Sequence, residues 1–172
     1  MNETMKTILS RRSTRKFTEE PVPAQIMEQL VEAALHAPSG MGKKTWKFIA
    51  ITNRDVIRRL AAAIAAQLGR AEYNMYDPTA LIIPTNCKDS RFGREDNACA
   101  LQNIFLAAES FGVGSVWINQ LQGICDAEGI RPILRELGVP DDHEVYGMAA
   151  LGYPAEGSTR PYRACGETAY IK

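Results

Sequence analysis

The chain has 172 residues, a size at which one hydrophobic core is usual, and its 45% apolar and 23% charged residues are ordinary for a globular protein. Twenty acidic side chains balance twenty basic ones, which leaves no overall field to attract nucleic acid or an anionic membrane, so any anion site has to be local. No apolar run approaches the ~20 residues that cross a bilayer, and the opening MNETMKTILS lacks the charged start and apolar stretch of a secretion signal.

In chain order, Thr4 to about Arg12 reads as a short helix with Met5, Ile8 and Leu9 on one face. Pro21 and Pro23 break the chain before the clearest helix, Ala24 to His36, whose Ile26, Leu30, Ala33 and Ala34 recur at helical spacing. Ala37-Pro38-Ser39-Gly40 ends it, because a residue before proline disfavours helical dihedrals. Trp46 to Thr52 reads as a strand, Asp55 to Leu68 as a helix and Leu81 to Thr85 as a strand. Asp96 to Phe111 is a long helix with Ala100, Ile104, Ala107, Ala108 and Phe111 in one stripe, widened by Leu101 and Phe105, so burial on most sides is expected. Ser115 to Ile118 reads as a strand, Pro132 to Leu137 as a short helix and Val145 to Leu151 as the last strand, before an irregular tail from about residue 153. This loose alternation predicts helices covering a sheet in one unit over residues 1–172, with the strand directions left open.

Cys87, Cys99, Cys125 and Cys165 are scattered without a CxxC pair, and His36 and His143 are the only histidines. That composition predicts no metal site, and reduced thiols in a cytoplasmic protein. His36 ends an apolar helix and His143 sits in the polar turn Asp141-Asp142-His143, so both are expected to be structural.

Two segments carry candidate chemistry. Arg11-Arg12-Ser13-Thr14-Arg15-Lys16-Phe17 gathers four cations and two hydroxyls at a helix-to-loop edge. Guanidinium forks make paired, charge-assisted bonds to phosphate oxygens, which favours a phosphate ligand; a solvated basic run is the alternative. Ala37 to Trp46 is a loop in which Gly40 and Gly42 permit close backbone approach to a flat ligand, although it is not the GxxxxGK[ST] phosphate loop and serves equally as a plain connection.

Taken together, these segments resemble the FMN-dependent nitroreductase family. Residues 11–17 look like its Arg-Arg-Ser-x-Arg-x-Phe opening, and Ala33 to Trp46 look like its helix followed by Ala-Pro-Ser-x-x-Asn-x-Gln-Pro-Trp. Asp96 to Ile118 is similar to its central helix, and Leu151-Gly152-Tyr153-Pro154 to its final-strand exit, all in the family's order. The resemblance implies an α+β fold, with a mixed, mainly antiparallel sheet flanked by helices in α/β/α layers. It also implies a homodimer holding FMN at the subunit interface. Arg11, Ser13 and Arg15 would hold the phosphate and pyrimidine edge with Arg12 beside them, while Pro38, Ser39 and Gly40 would reach the partner's flavin. Trp117, Ile118 and Asn119 would line the ring. Arg163 would close the phosphate site from the tail, with Arg160 as the next candidate. The implied activity moves hydride from NADH or NADPH through flavin to a small oxidised acceptor such as a nitroaromatic or quinone, with no partner nucleic acid or membrane. Flavin carries the reaction, so no protein acid or base is required, and Arg15 is the candidate for stabilising the charge of reduced flavin. Dehalogenation or flavin cleavage on the same fold, and a non-catalytic flavin-binding protein, are the alternatives. The chain departs from the family loop where Gly42, Lys44 and Thr45 replace Asn, Gln and Pro. Met41, Lys43 and Lys44 therefore stand as substrate-side candidates, with a preference for anionic acceptors expected.

Overall fold

The central strand of the fold opens on the apolar run Ala80-Leu81-Ile82-Ile83. In the computed structural model, which describes residues 1–171, β2 (Ala80–Cys87) is buried along nearly its whole length. It pairs on one side with β1 (Trp46–Ile51) and on the other with β5 (Met148–Gly152), and β5 in turn pairs with β3 (Gly114–Ile118). The order β1-β2-β5-β3 is antiparallel throughout, and a short β4 (His143–Glu144) pairs with the end of β2. Pro84 is tolerated inside β2 because it falls between the β5 pairing at residues 80–82 and the β4 pairing at 86–87. A missing N–H leaves no gap in either of those ladders.

Because strand side chains alternate, β2 feeds two cores. Leu81 and Ile83 point to one face, where α3 (Arg54–Gln67) supplies Ile57, Leu60 and Ile64, and α5 (Arg131–Glu136) supplies Leu134. Ile82 points to the other face, where α2 (Ala24–Leu35) brings Met27, Leu30 and Ala34 against Ala100, Leu101, Ile104 and Ala108 of α4 (Gly93–Ser110). The result is helices on both faces of the sheet, as the resemblance implied. Asn53 caps α3 by accepting from the Asp55 and Val56 amides, and Asn2 caps α1 (Glu3–Ser10) by accepting from Met5.

Several expected boundaries shift for local reasons. The strand predicted over 145–151 starts later, at Met148, after residues 145–147, where Gly147 passes so close to Trp117 that a Cβ there would lie 2.5 Å from the indole. On either side of that gap β4 pairs with the end of β2, and β5 lies between β2 and β3. The long helix begins at Gly93 rather than Asp96, and β2 runs on to Cys87 rather than stopping at Thr85. α1 stops at Ser10, so the basic segment is entirely outside the helix. Phe111, expected in the buried stripe of α4, caps the helix and is 40% exposed. No helix among the described residues is long and apolar enough to cross a membrane.

Candidate active site

Residues 11–17 are laid along the β3 edge of the sheet. Ser13 bridges Ser115 in parallel sense, and the Thr14 amide donates to the Ser115 carbonyl at 2.9 Å. Thr14 is buried against Gly114, where an added Cβ would lie 2.6 Å from its hydroxyl, so only glycine lets the segment approach this closely. From the other side, the start of the tail grips the segment. The Arg15 amide donates to Ser158, Thr18 to Tyr153 and, in return, Ala155 to Lys16. With Thr14 pointing inward, Arg11, Ser13 and Arg15 line a cavity of about 190 Å³ together with Arg12, Arg160, Pro161 and Tyr162. Four arginines and a hydroxyl converge there, and among the described residues no carboxylate lines the cavity.

The arginines are not equivalent. Arg12 Nη1 donates to the carbonyls of Leu9, Ser10 and Arg11 at 2.6, 3.1 and 2.8 Å, and its guanidinium stacks on Tyr162 at 4.7 Å. It thereby satisfies the last carbonyls of α1, a placement that suits the negative end of a helix. Arg15 makes only a long bond to the Ser13 carbonyl, at 3.4 Å, and has donors to spare for a ligand. In the tail, Arg160 lines the cavity, whereas Arg163 is exposed and outside its lining.

The loop after α2 is tied to the opposite end of α4. Asp96, buried in the first turn of that helix, accepts from Ser39 Oγ at 2.9 Å and from the Gly40 amide at 2.8 Å. Ser39 Oγ in turn accepts from the Lys44 amide at 3.0 Å, so this hydroxyl is engaged on both sides within the loop. Gly40 has to be glycine, because a Cβ would lie 2.3 Å from the Phe92 ring. Met41, Gly42 and Lys44 take positive φ in and after a single 3-10 turn. Met41, Lys43 and Lys44 are all exposed, and Pro38 is exposed beside them. Asp96 was not among the expected site residues. Its position in the first turn of a helix, where a carboxylate is favoured, was the available signal.

At the end of β3, Trp117 is 38% exposed, packs at 6.3 Å on Phe105 and donates from Nε1 to Asn119 Oδ1 at 3.2 Å. Ile118 points the other way, into the core beneath α3, so only its backbone faces the Trp117 side. Period-two alternation in GSVWI already separates these two side chains. The structure thus presents Trp117 and Asn119 together and withholds the side chain of Ile118.

Comparison with known proteins gives this arrangement its class. A profile of the Nitroreductase family matches residues 8–153, and the chain belongs to that family. A nitroreductase with bound FMN from Bacteroides fragilis superposes with a TM-score of 0.90 at 36% identity, covering 100% of both chains. An NADPH-flavin oxidoreductase of Vibrio harveyi is 30% identical over 165 residues, which span 90% of this chain and 67% of that one. A nitroreductase with bound FMN from Desulfitobacterium hafniense, at 23% identity and TM-score 0.88 with 100% of both chains covered, shares the fold.

Proposed function

We propose that the chain is an FMN-dependent oxidoreductase that takes hydride equivalents from NADH or NADPH and delivers them to a small oxidised acceptor such as a nitroaromatic or quinone. The observation that carries this reading is the arginine cavity. A terminal phosphate dianion fits a pocket with guanidiniums from Arg11, Arg15 and Arg160, the Ser13 hydroxyl and, among the described residues, no opposing carboxylate. The FMN bound to the Bacteroides fragilis relative supports it. When bound, flavin supplies the hydride-accepting ring. The protein's part is to hold the phosphate, present Trp117 and Asn119 beside the ring, and set a cation where charge accumulates. Arg15 is the candidate for that last role: its guanidinium makes one long bond and keeps donors free, whereas Arg12 is committed to the end of α1. The four thiols are all free, which suits a reducing cytoplasm.

The working unit in this reading is a homodimer. Within one chain the arginine segment lies at the C-terminal end of α4 and the Ser39–Gly40 loop at its N-terminal end. Asp96 and Ser110 are separated by about 20 Å of helix. Both segments meet one small ligand only if two chains contribute. Surface area points the same way. The chain exposes 10019 Å², against roughly 8,400 Å² for a folded monomer of 19.0 kDa. Much apolar surface is on the outside: α1 buries none of its residues, and Met5, Ile8, Leu9, Phe111 and Trp117 are all exposed. Sedimentation at micromolar concentration is expected to show a dimer without stable folded monomers; a flavin-loaded, well-folded monomer contradicts it.

The catalytic part of the reading is tested by mixing the purified protein anaerobically with NADH or NADPH. The yellow flavin is expected to bleach and to recover its colour on adding a nitroaromatic or quinone. Flavin that stays oxidised with both nicotinamides indicates a binding protein instead.

A further inference from the structure

The junction of β2 and β4 holds a second constellation, away from the arginine cavity. Cys87 and His143 are directly opposed in the β2–β4 ladder, and Cys87 Sγ lies 3.3 Å from His143 Nε2. Thr85 contacts the imidazole from the other side, and its bond to Lys47 favours one tautomer. Its hydroxyl has one proton, which it donates to the Lys47 carbonyl at 3.1 Å, so at its 2.8 Å contact with His143 Nδ1 it accepts. Nδ1 therefore carries the ring proton, and the Nε2 lone pair faces the sulfur. The neighbouring Asp142 carboxylate is exposed, and one ligand atom each from Cys87, Asp142 and His143 lie within 4.8 Å of one another.

We propose that Cys87, Asp142 and His143 form a three-ligand site for a divalent metal of the zinc class, through thiolate, Nε2 and carboxylate, with a fourth position for water. Tetrahedral zinc, with Zn–S near 2.3 Å and Zn–N near 2.0 Å, separates sulfur from nitrogen by roughly 3.5 Å. The observed 3.3 Å is close to that edge. The soft sulfur and the imidazole select zinc or cobalt over calcium or magnesium. The Nδ1–H to Thr85 bond is the outer-sphere support that orients a ligating histidine. Opposed strand positions hold Cys87 and His143 in place, and Asp142, on the surface, closes by side-chain rotation. Binding replaces the Cys87 S–H bond with a metal–sulfur bond and releases the proton to solvent.

An activated cysteine nucleophile fits less well. Burial, with Asp142 and Asp89 nearby, keeps the Cys87 thiol above its ordinary pKa, and burial keeps His143 below its own. The site also adjoins the active-site loop, since Thr45 donates to Asn86 Oδ1 at 2.6 Å and Cys87 Sγ lies 3.7 Å from the Thr45 carbonyl.

The test uses the purified, untagged protein, stripped of metal with a chelator and titrated with Zn²⁺ by calorimetry and with Co²⁺ by absorption. One metal per chain is expected. The Co²⁺ form should show tetrahedral d–d bands in the red, beyond flavin absorption, and a thiolate charge-transfer band that Cys87→Ser removes. Affinity should fall at least tenfold in Cys87→Ser and in Asp142→Ala, and stay unchanged in Cys165→Ser, which removes an exposed thiol elsewhere. Asp142 is on the surface, so its variant tests the site even if the strand-end variant folds poorly. Absence of saturable binding overturns the proposal. So does binding that survives in both Cys87→Ser and Asp142→Ala, or a cobalt spectrum without a thiolate band.

Discussion

Replacing Arg11 or Arg15 with alanine is expected to lower FMN affinity by roughly ten- to a hundredfold. Each guanidinium removed costs a charge-assisted bond to phosphate, worth about 1.5–3 kcal/mol, and about 1.4 kcal/mol is tenfold in affinity. Arg58→Ala and Arg59→Ala are the matched controls. Both lie on the exposed face of α3, where Arg58 pairs with Asp77 at 3.2 Å and Arg59 pairs with Glu136, far in sequence from the clamp. Exposed pairs of this kind contribute little, so these two variants should bind FMN as the parent does. Arg12 is a poor probe, because its bonds to Leu9, Ser10 and Arg11 make it part of the end of α1. Fluorescence titration of the stripped protein reads the effect, and equal small losses at all four positions would reduce the clamp to general surface charge.

Substituting Asp96 is the second large effect. Its buried carboxylate is the sole acceptor described for the Gly40 amide and for the Ser39 hydroxyl proton. Asp96→Ala leaves both donors without that partner and opens space at the first turn of α4. Loss of bonds to a charged acceptor at a buried position should cost about 3 kcal/mol. For a chain of this length each kcal/mol moves Tm by roughly 2–4 °C, so a fall of about 6–12 °C is expected. Amide exchange at Gly40 and Lys44 should accelerate at the same time, since the Lys44 amide rests on Ser39 Oγ. An unchanged Tm with undisturbed exchange at Gly40 would show that the loop is held by something other than Asp96.

Local signals in the chain are enough for most of this architecture. The bulky run of β1, the proline at the end of α2 and the α4 stripe as far as Ala108 each follow from near neighbours, and Phe111 alone of that stripe ends up exposed at the cap. What escapes is set by contacts far apart in sequence. The close approach of Gly147 to Trp117, in the gap between β4 and β5, joins residues from different strands. The anchoring of Ser39 and Gly40 depends on Asp96, 57 and 56 residues away. Tail residues have no periodicity to order them, so Arg163 and Arg160 look alike until Tyr162 stacks on Arg12 and places Arg160 at the cavity. His143 reads as part of a surface turn, yet the strand register buries it between Thr85 and Cys87.

In the proposed function the arginine cavity clamps the terminal phosphate of FMN. The most direct measurement is to purify the protein, release its cofactor by heat and identify and quantify it by chromatography and absorbance. About one non-covalent FMN per chain is expected, from a protein that is yellow as isolated and can be reloaded with FMN after stripping. FAD as the released cofactor, or a colourless protein that takes up no FMN when it is supplied, would contradict the account.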